Sequence, residues 1–140
     1  MRDRRALRLL LAPVLLLSLG ARSAERMYEP GPIEIPDGAS REDVLKAIER
    51  SLVARDWSVD KKLISEEGAA SEVAATLYVR VHTVTIRIEF DDEQIRIHYV
   101  SSAKMAFRER KNKERFIHPK YTQWIRNLEK DLKSELLALG

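Results

Sequence analysis

The chain of 140 residues contains no cysteine. That excludes disulfide staples, cysteine-ligated zinc and iron–sulfur clusters, and with them a lipid-modified N-terminal cysteine. Glycine is scarce: of five in the chain, four follow residue 23, and one of these is the terminal Gly140. No phosphate-cradling loop and no dinucleotide fingerprint can be assembled from them. Three histidines are present, His82, His98 and His118, and no two stand at a metal spacing such as i, i+4 on one helix. Neither a metal nor a cofactor is implied. No apolar run reaches the roughly 20 residues that a membrane-spanning helix needs.

What is present begins with a leader. Arg2, Arg4, Arg5 and Arg8 form a positive start, and Leu9 to Leu19 is an eleven-residue apolar run broken only by Pro13 and Ser18. Ala21 and Ser23 then supply small residues at the −3 and −1 positions of a cleavage site. This is the layout of a secretory signal peptide over residues 1–23. Retained uncleaved, the same run would be a short N-terminal anchor. Arg4-Arg5 is a twin-arginine pair in a context that matches that export route poorly. An exported domain without disulfides stands on packing alone, which suits a bacterial periplasm better than the extracellular milieu, although secretion stays open.

The leader also carries the charge excess. The formal net charge is +3, yet residues 1–23 hold five arginines against one aspartate, so the chain from Ala24 has 20 basic and 21 acidic residues. The electrostatic argument for nucleic acid goes with the leader.

Residues 24–39 hold Pro30, Pro32 and Pro36 with Gly31 and Gly38, and read as an extended linker before a single domain over 40–140. Ser40 is placed to cap a helix over about 41–55, with Val44, Leu45, Ile48 and Leu52 on one side. The period then changes to two. Strands are predicted around Trp57–Leu63, Val73–Val79, Val84–Phe90 and Ile95–Tyr99, separated by turns at Glu66-Glu67-Gly68, Arg80–Thr83 and Asp91–Gln94. Residues 101–118 read as a long polar loop. Pro119 suits the first turn of a second helix, in which Tyr121, Trp124, Ile125, Leu128, Leu132 and Leu136 form an apolar stripe. The order α-β-β-β-β-α implies an α+β, two-layer sandwich: a four-stranded antiparallel meander with both helices on its apolar face.

The chemistry-bearing clusters are few. Asp91, Asp92 and Glu93 are consecutive carboxylates that lack the spaced ligands of a calcium loop and read as a solvated turn. Ser102 has no glycine-flanked elbow. The feature with physical pull is the stretch 104–120, where seven Lys or Arg stand against Glu109 and Glu114, with Phe107 and Phe116 among them. Residues 24–72 carry seven basic and twelve acidic residues, so the domain is electrically two-ended.

The segment "IRIHYVSSAKMAF", followed after a basic gap by "IHPKYTQWIRNLEKDL", resembles a group of small exported bacterial proteins of unknown function. They pair a Tyr-x-x-Ser strand end with an Ile-His-x-x-Tyr-x-x-Trp-x-x-Asn-Leu helix. Tyr99, Ser102, Ile117, His118, Tyr121, Trp124, Asn127 and Leu128 match these positions. Many such relatives are described as lipoproteins, and the missing cysteine means that lipid anchoring does not carry over. The resemblance implies export and a shared small fold, and brings no activity.

Two functional expectations follow. One is a non-enzymatic periplasmic module that binds an envelope protein, anionic lipid or lipopolysaccharide through Arg108, Arg110, Lys111, Lys113 and Arg115, with the wet sheet face as a second surface. The other is a small hydrolase or ligand pocket around Ser102, His118, Tyr121 and Asn127. Expression in an export-competent bacterium should yield a chain beginning at Ala24, read by intact mass and N-terminal sequencing. A chain that keeps residues 1–23 would establish the anchor instead.

Overall fold

A computed structural model describes residues 23–66 and 68–140. All but the last residue of the expected leader lie outside the described residues. The main sheet contains β2 (Ile33–Glu34), β3 (Trp57–Leu63), β4 (Ser71–Val79), β5 (His82–Phe90) and β6 (Gln94–Ala103), in the spatial order β2-β6-β5-β4-β3. A smaller sheet holds β1 (Glu25–Arg26), β7 (Arg108–Glu109) and β8 (Arg115–Ile117), in the order β1-β8-β7. Every pairing is antiparallel. The helices are α1 (Arg41–Ala54) and α2 (Lys120–Leu137).

The α+β class stands, and the four-stranded count does not. The expected meander is β3 to β6, but β2 extends it to five strands and a second sheet of three lies beside it. Both additions come from segments read as irregular. Residues 24–39 are extended, yet they pack on the domain: Glu25 pairs with Ile117, Ile33 with Ile95, and Met27, Ile33 and Ile35 are buried. Two apolar side chains separated by Glu34 are too short a period-two signal to stand out between prolines. The stretch 101–118 is likewise not a long loop. Strand β6 runs to Ala103, and the β7–β8 hairpin takes up much of what remains.

Local chemistry explains the element ends. Ser40 Oγ accepts from the Asp43 N–H at 3.1 Å, which satisfies one free donor at the start of α1. Asp91 Oδ1 accepts from the N–H groups of Glu93 and Gln94, both at 2.8 Å, and these bonds hold its carboxyl below the usual carboxylate range. The β5–β6 turn is therefore an Asx turn. Strand β3 alternates cleanly from Trp57 to Val59 and then shifts register before Lys61, which leaves Leu63 exposed rather than on the expected apolar face.

One core joins the layers. Val73, Ala75, Leu77, Val84, Ile86, Ile88 and Ile97 line the inner sheet face. Val44, Ile48 and Leu52 of α1 and Ile125, Leu128, Leu132 and Leu136 of α2 cover it. At the surface the helices are joined by Arg50 to Glu135 at 3.0 Å and Arg55 to Asp131 at 2.7 Å. Ile33 is 3% exposed, so Ile33→Ala should lower unfolding free energy by about 2–5 kcal/mol in chemical denaturation. An unpacked linker would give no loss.

Candidate functional site

The end of the fold where β6, the hairpin and the start of α2 meet is built on a short turn. Lys104 and Ala106 both have left-handed backbones, with φ of 60° and 54°, and neither is glycine. Such residues cost roughly 1–2 kcal/mol each against a right-handed conformation. The turn drives Met105 into the core at 1% exposure and leaves Phe107 beside β6. Phe107 stacks on Tyr99 with ring centroids 4.7 Å apart, and Tyr99 meets Tyr121 edge-on at 5.8 Å.

Ser102, His118 and Tyr121 thus belong to one neighbourhood, but their polar atoms have other work. The Ser102 and Tyr99 hydroxyls share a hydrogen bond of 2.7 Å. His118 Nδ1 accepts the Lys120 N–H at 3.0 Å, which caps α2 where Pro119 offers no side-chain cap. A neutral imidazole has one acceptor nitrogen. With Nδ1 occupied as acceptor, Nε2 of neutral His118 carries a proton and cannot take one from a serine. His82 lies 5.6 Å from His118, ring to ring, and its Nδ1 donates to the Lys104 carbonyl at 2.7 Å. Asn127 is half-buried on α2 and makes no side-chain hydrogen bond among the described residues.

The five basic residues divide into two groups. Arg108, Arg110, Lys111 and Lys113 are exposed on β7 and the hairpin tip. Arg110 lies over the Phe116 ring at 4.5 Å and approaches Glu114 at 3.9 Å. Arg108, Lys111 and Lys113 make no ion pair among the described residues. Arg115 faces the other way. It binds Glu29, stands over the Tyr99 ring at 5.8 Å, and lines a cleft of about 310 Å³.

That cleft lies between the segment Met27–Pro30 and the edge of β6. Arg87, Arg96, His98, Tyr99 and Tyr121 complete much of its wall. Arg87 donates to Glu72 at 2.9 Å across the outer sheet face, and His98 Nε2 stands 3.7 Å from Glu89. Sequence reading does not single out Arg87, Arg96 or Tyr99 as site residues. The available signal is their alternation: Arg87 and His98 are cross-strand partners on the wet face, and Arg96 is one step along it. That they border a cleft depends on the path of residues 27–32.

Burial pushes the phenols of Tyr99 and Tyr121 above their ordinary value of 10.0. On unfolding they ionise at that ordinary value, so the unfolded chain loses protons first as pH rises. Their contribution to stability is complete below about pH 10 and is lost above it. The melting temperature should fall above pH 10, and Tyr121→Phe should reduce that fall while leaving the neutral-pH value nearly unchanged. His118→Ala should remove the helix cap and cost about 1 kcal/mol in denaturant melts.

Among the described residues, no helix is long and apolar enough to cross a membrane. Comparison of the chain with protein-family models, with curated proteins and with solved structures returned no match.

Proposed function

We propose that the protein is an exported, non-enzymatic module of the bacterial cell envelope that docks on anionic lipid headgroups through the β7–β8 hairpin. The observation that carries this reading is the density of positive charge on and around the hairpin, where residues 104–120 hold seven Lys or Arg against Glu109 and Glu114. On the helices and the main sheet, Arg41, Arg50, Arg55, Lys62 and Arg87 each meet a carboxylate, and others without an ion pair among the described residues, Lys61, Arg96, Arg126 and Lys130, are scattered. On the hairpin, Arg108, Lys111 and Lys113 stand exposed with no ion pair among the described residues. Their stem is held by Ile117 in the core and by Met105 just before it, so the cations are presented on an ordered mount. Phe107, 37% exposed beside the hairpin, adds apolar surface of the kind that interfacial binders use.

The leader-like residues 1–23 support an exported site of action, and the resemblance to small exported proteins points the same way. The hydrolase reading is weaker, because His118 Nδ1 and the Ser102 hydroxyl are committed to a helix cap and to Tyr99.

Vesicle sedimentation tests the proposal. Vesicles of phosphatidylglycerol and phosphatidylcholine should bind the protein at low salt and release it as salt rises, because exposed charges are screened. Phosphatidylcholine alone should not bind it. Changing Arg108, Lys111 and Lys113 to serine should weaken binding roughly a hundredfold, at about 1 kcal/mol per basic residue. Equal binding by that variant, or no binding by the parent, would remove the hairpin as a lipid surface.

A further inference from the structure

The cleft beside β6 exists because an edge strand stops early. β2 covers β6 for two residues only, Ile33 opposite Ile95 and Glu34 opposite Gln94. β6 continues to Ala103, and its other neighbour is β5. Continued in the same register, Pro32, Gly31, Pro30 and Glu29 would lie along Arg96 to Tyr99. They do not pair there. Pro30 and Pro32 hold φ at about −65° instead of the roughly −140° of an antiparallel strand, and Glu29 and Gly31 are restricted by the prolines that follow them. The chain bows away from β6 and rejoins the fold on β8, where the Met27 N–H bonds the Arg115 carbonyl at 2.8 Å. The gap left behind is the 310 Å³ cleft.

Two properties define what would fill it. The first is backbone. In an antiparallel pair, alternate residues direct their N–H and C=O groups to the same side. Ile95 bonds toward β2, so Ile97 and Tyr99 direct theirs to the side where no strand lies. An unpaired strand edge is a template for another strand. The second is charge. Arg96 and Arg115 line the cleft with Arg87 and His98, against the single carboxylate of Glu29. Glu29 holds Arg115 and Glu72 holds Arg87, whereas Arg96 meets no carboxylate among the described residues. His98 Nε2 is shielded from solvent without a hydrogen-bond partner. Tyr28, Tyr99 and Tyr121 also border the cleft.

We infer that the cleft receives an extended acidic peptide segment of a partner protein, which adds to the open edge of β6 and sets a carboxylate against Arg96 and Arg115. Main-chain bonds to Ile97 and Tyr99 give affinity, and the arginines select acidic sequence. Glu29 occupies Arg115 until the peptide arrives. This site lies apart from the lipid-facing cations of the hairpin, so the protein would join an anionic surface to an acidic protein segment.

The experiment uses the purified protein and a synthetic peptide, Val-Glu-Val-Glu-Val-Glu, followed by fluorescence anisotropy and by amide hydrogen exchange. Two companions are the same peptide with alternate backbone nitrogens methylated and its Val-Gln counterpart. Binding of the Val-Glu peptide with slowed exchange at Ile97 and Tyr99 supports the inference. Arg96→Gln should then weaken binding about tenfold, with the melting temperature unchanged and with recovery in Arg96→Lys. The Arg108, Lys111 and Lys113 serine variant should bind the peptide as the parent does, which separates this site from the lipid surface. Equal binding of the Val-Gln peptide would overturn the acidic specificity. Equal binding of the methylated peptide, or its displacement by inorganic phosphate alone, would overturn strand addition in favour of a simple anion site. Absence of any binding overturns the inference outright.

Discussion

Burial of the inner face of the five-stranded sheet is the constraint from which the rest of the architecture follows. That face presents Ala75, Val84, Ile86, Ile88 and Ile97, all buried. An antiparallel sheet of this kind tolerates water on one side only. The apolar stripes of α1 and α2 cover most of its length. At the end where α2 begins, Met27, Met105 and Ile117 join the same core, and they come from the three-stranded sheet and the turn that feeds it. The small sheet is thus the closure of the main core rather than an appendage.

That closure has a conformational cost and a geometric consequence. Met105 reaches the core only because Lys104 and Ala106 take left-handed backbones. The turn also sets Phe107 on Tyr99, and Tyr99 on Tyr121, so the start of α2, the end of β6 and the turn before the hairpin are packed together. Beside the free edge of β6 the N-terminal segment anchors at two places, on β8 and at Ile33–Glu34, with the Pro-Gly-Pro bow between them. The cleft is the space that the bow encloses. It is not a defect in core packing, because its polar lining belongs to the outer sheet face and the strand edge.

Electrostatics follows the same division. Ion pairs stitch α1 to α2, α1 to β3 and β4 to β5. Exposed pairs of this kind contribute little stability each. What they do is fix several cations of the helices and main sheet against carboxylates, while the stretch 104–120 keeps a surplus of seven Lys or Arg over two Glu. A local surplus of one sign is the condition for directional attraction of an anionic partner.

Much of the fold was legible in local chemistry. The helical periods, the Ser40 cap, the period-two strands and the turn at Asp91 are each written in neighbouring residues, because they depend on contacts within a few positions. The second sheet, β2 and the core role of Met27 and Met105 were not. Their partners lie dozens of residues away: Glu25 meets Ile117, Ile33 meets Ile95, and Tyr28 donates to Glu129 at 2.7 Å. The candidate site divides in the same manner. The cationic stretch 104–120 is evident from composition, whereas the stacking of Tyr99 between Phe107 and Tyr121 depends on the turn at Met105. The separation of Arg115 from Arg108, Lys111 and Lys113 was decided by the pleat of β8 and the place of Glu29. By itself, then, the sequence determined the α+β class, the helices and the inner strands, since hydrophobic period is a local property. Only the tertiary structure decided the sheet edge, the hairpin and the cleft, because strand pairing between distant segments depends on which backbone edges remain open once the core has closed.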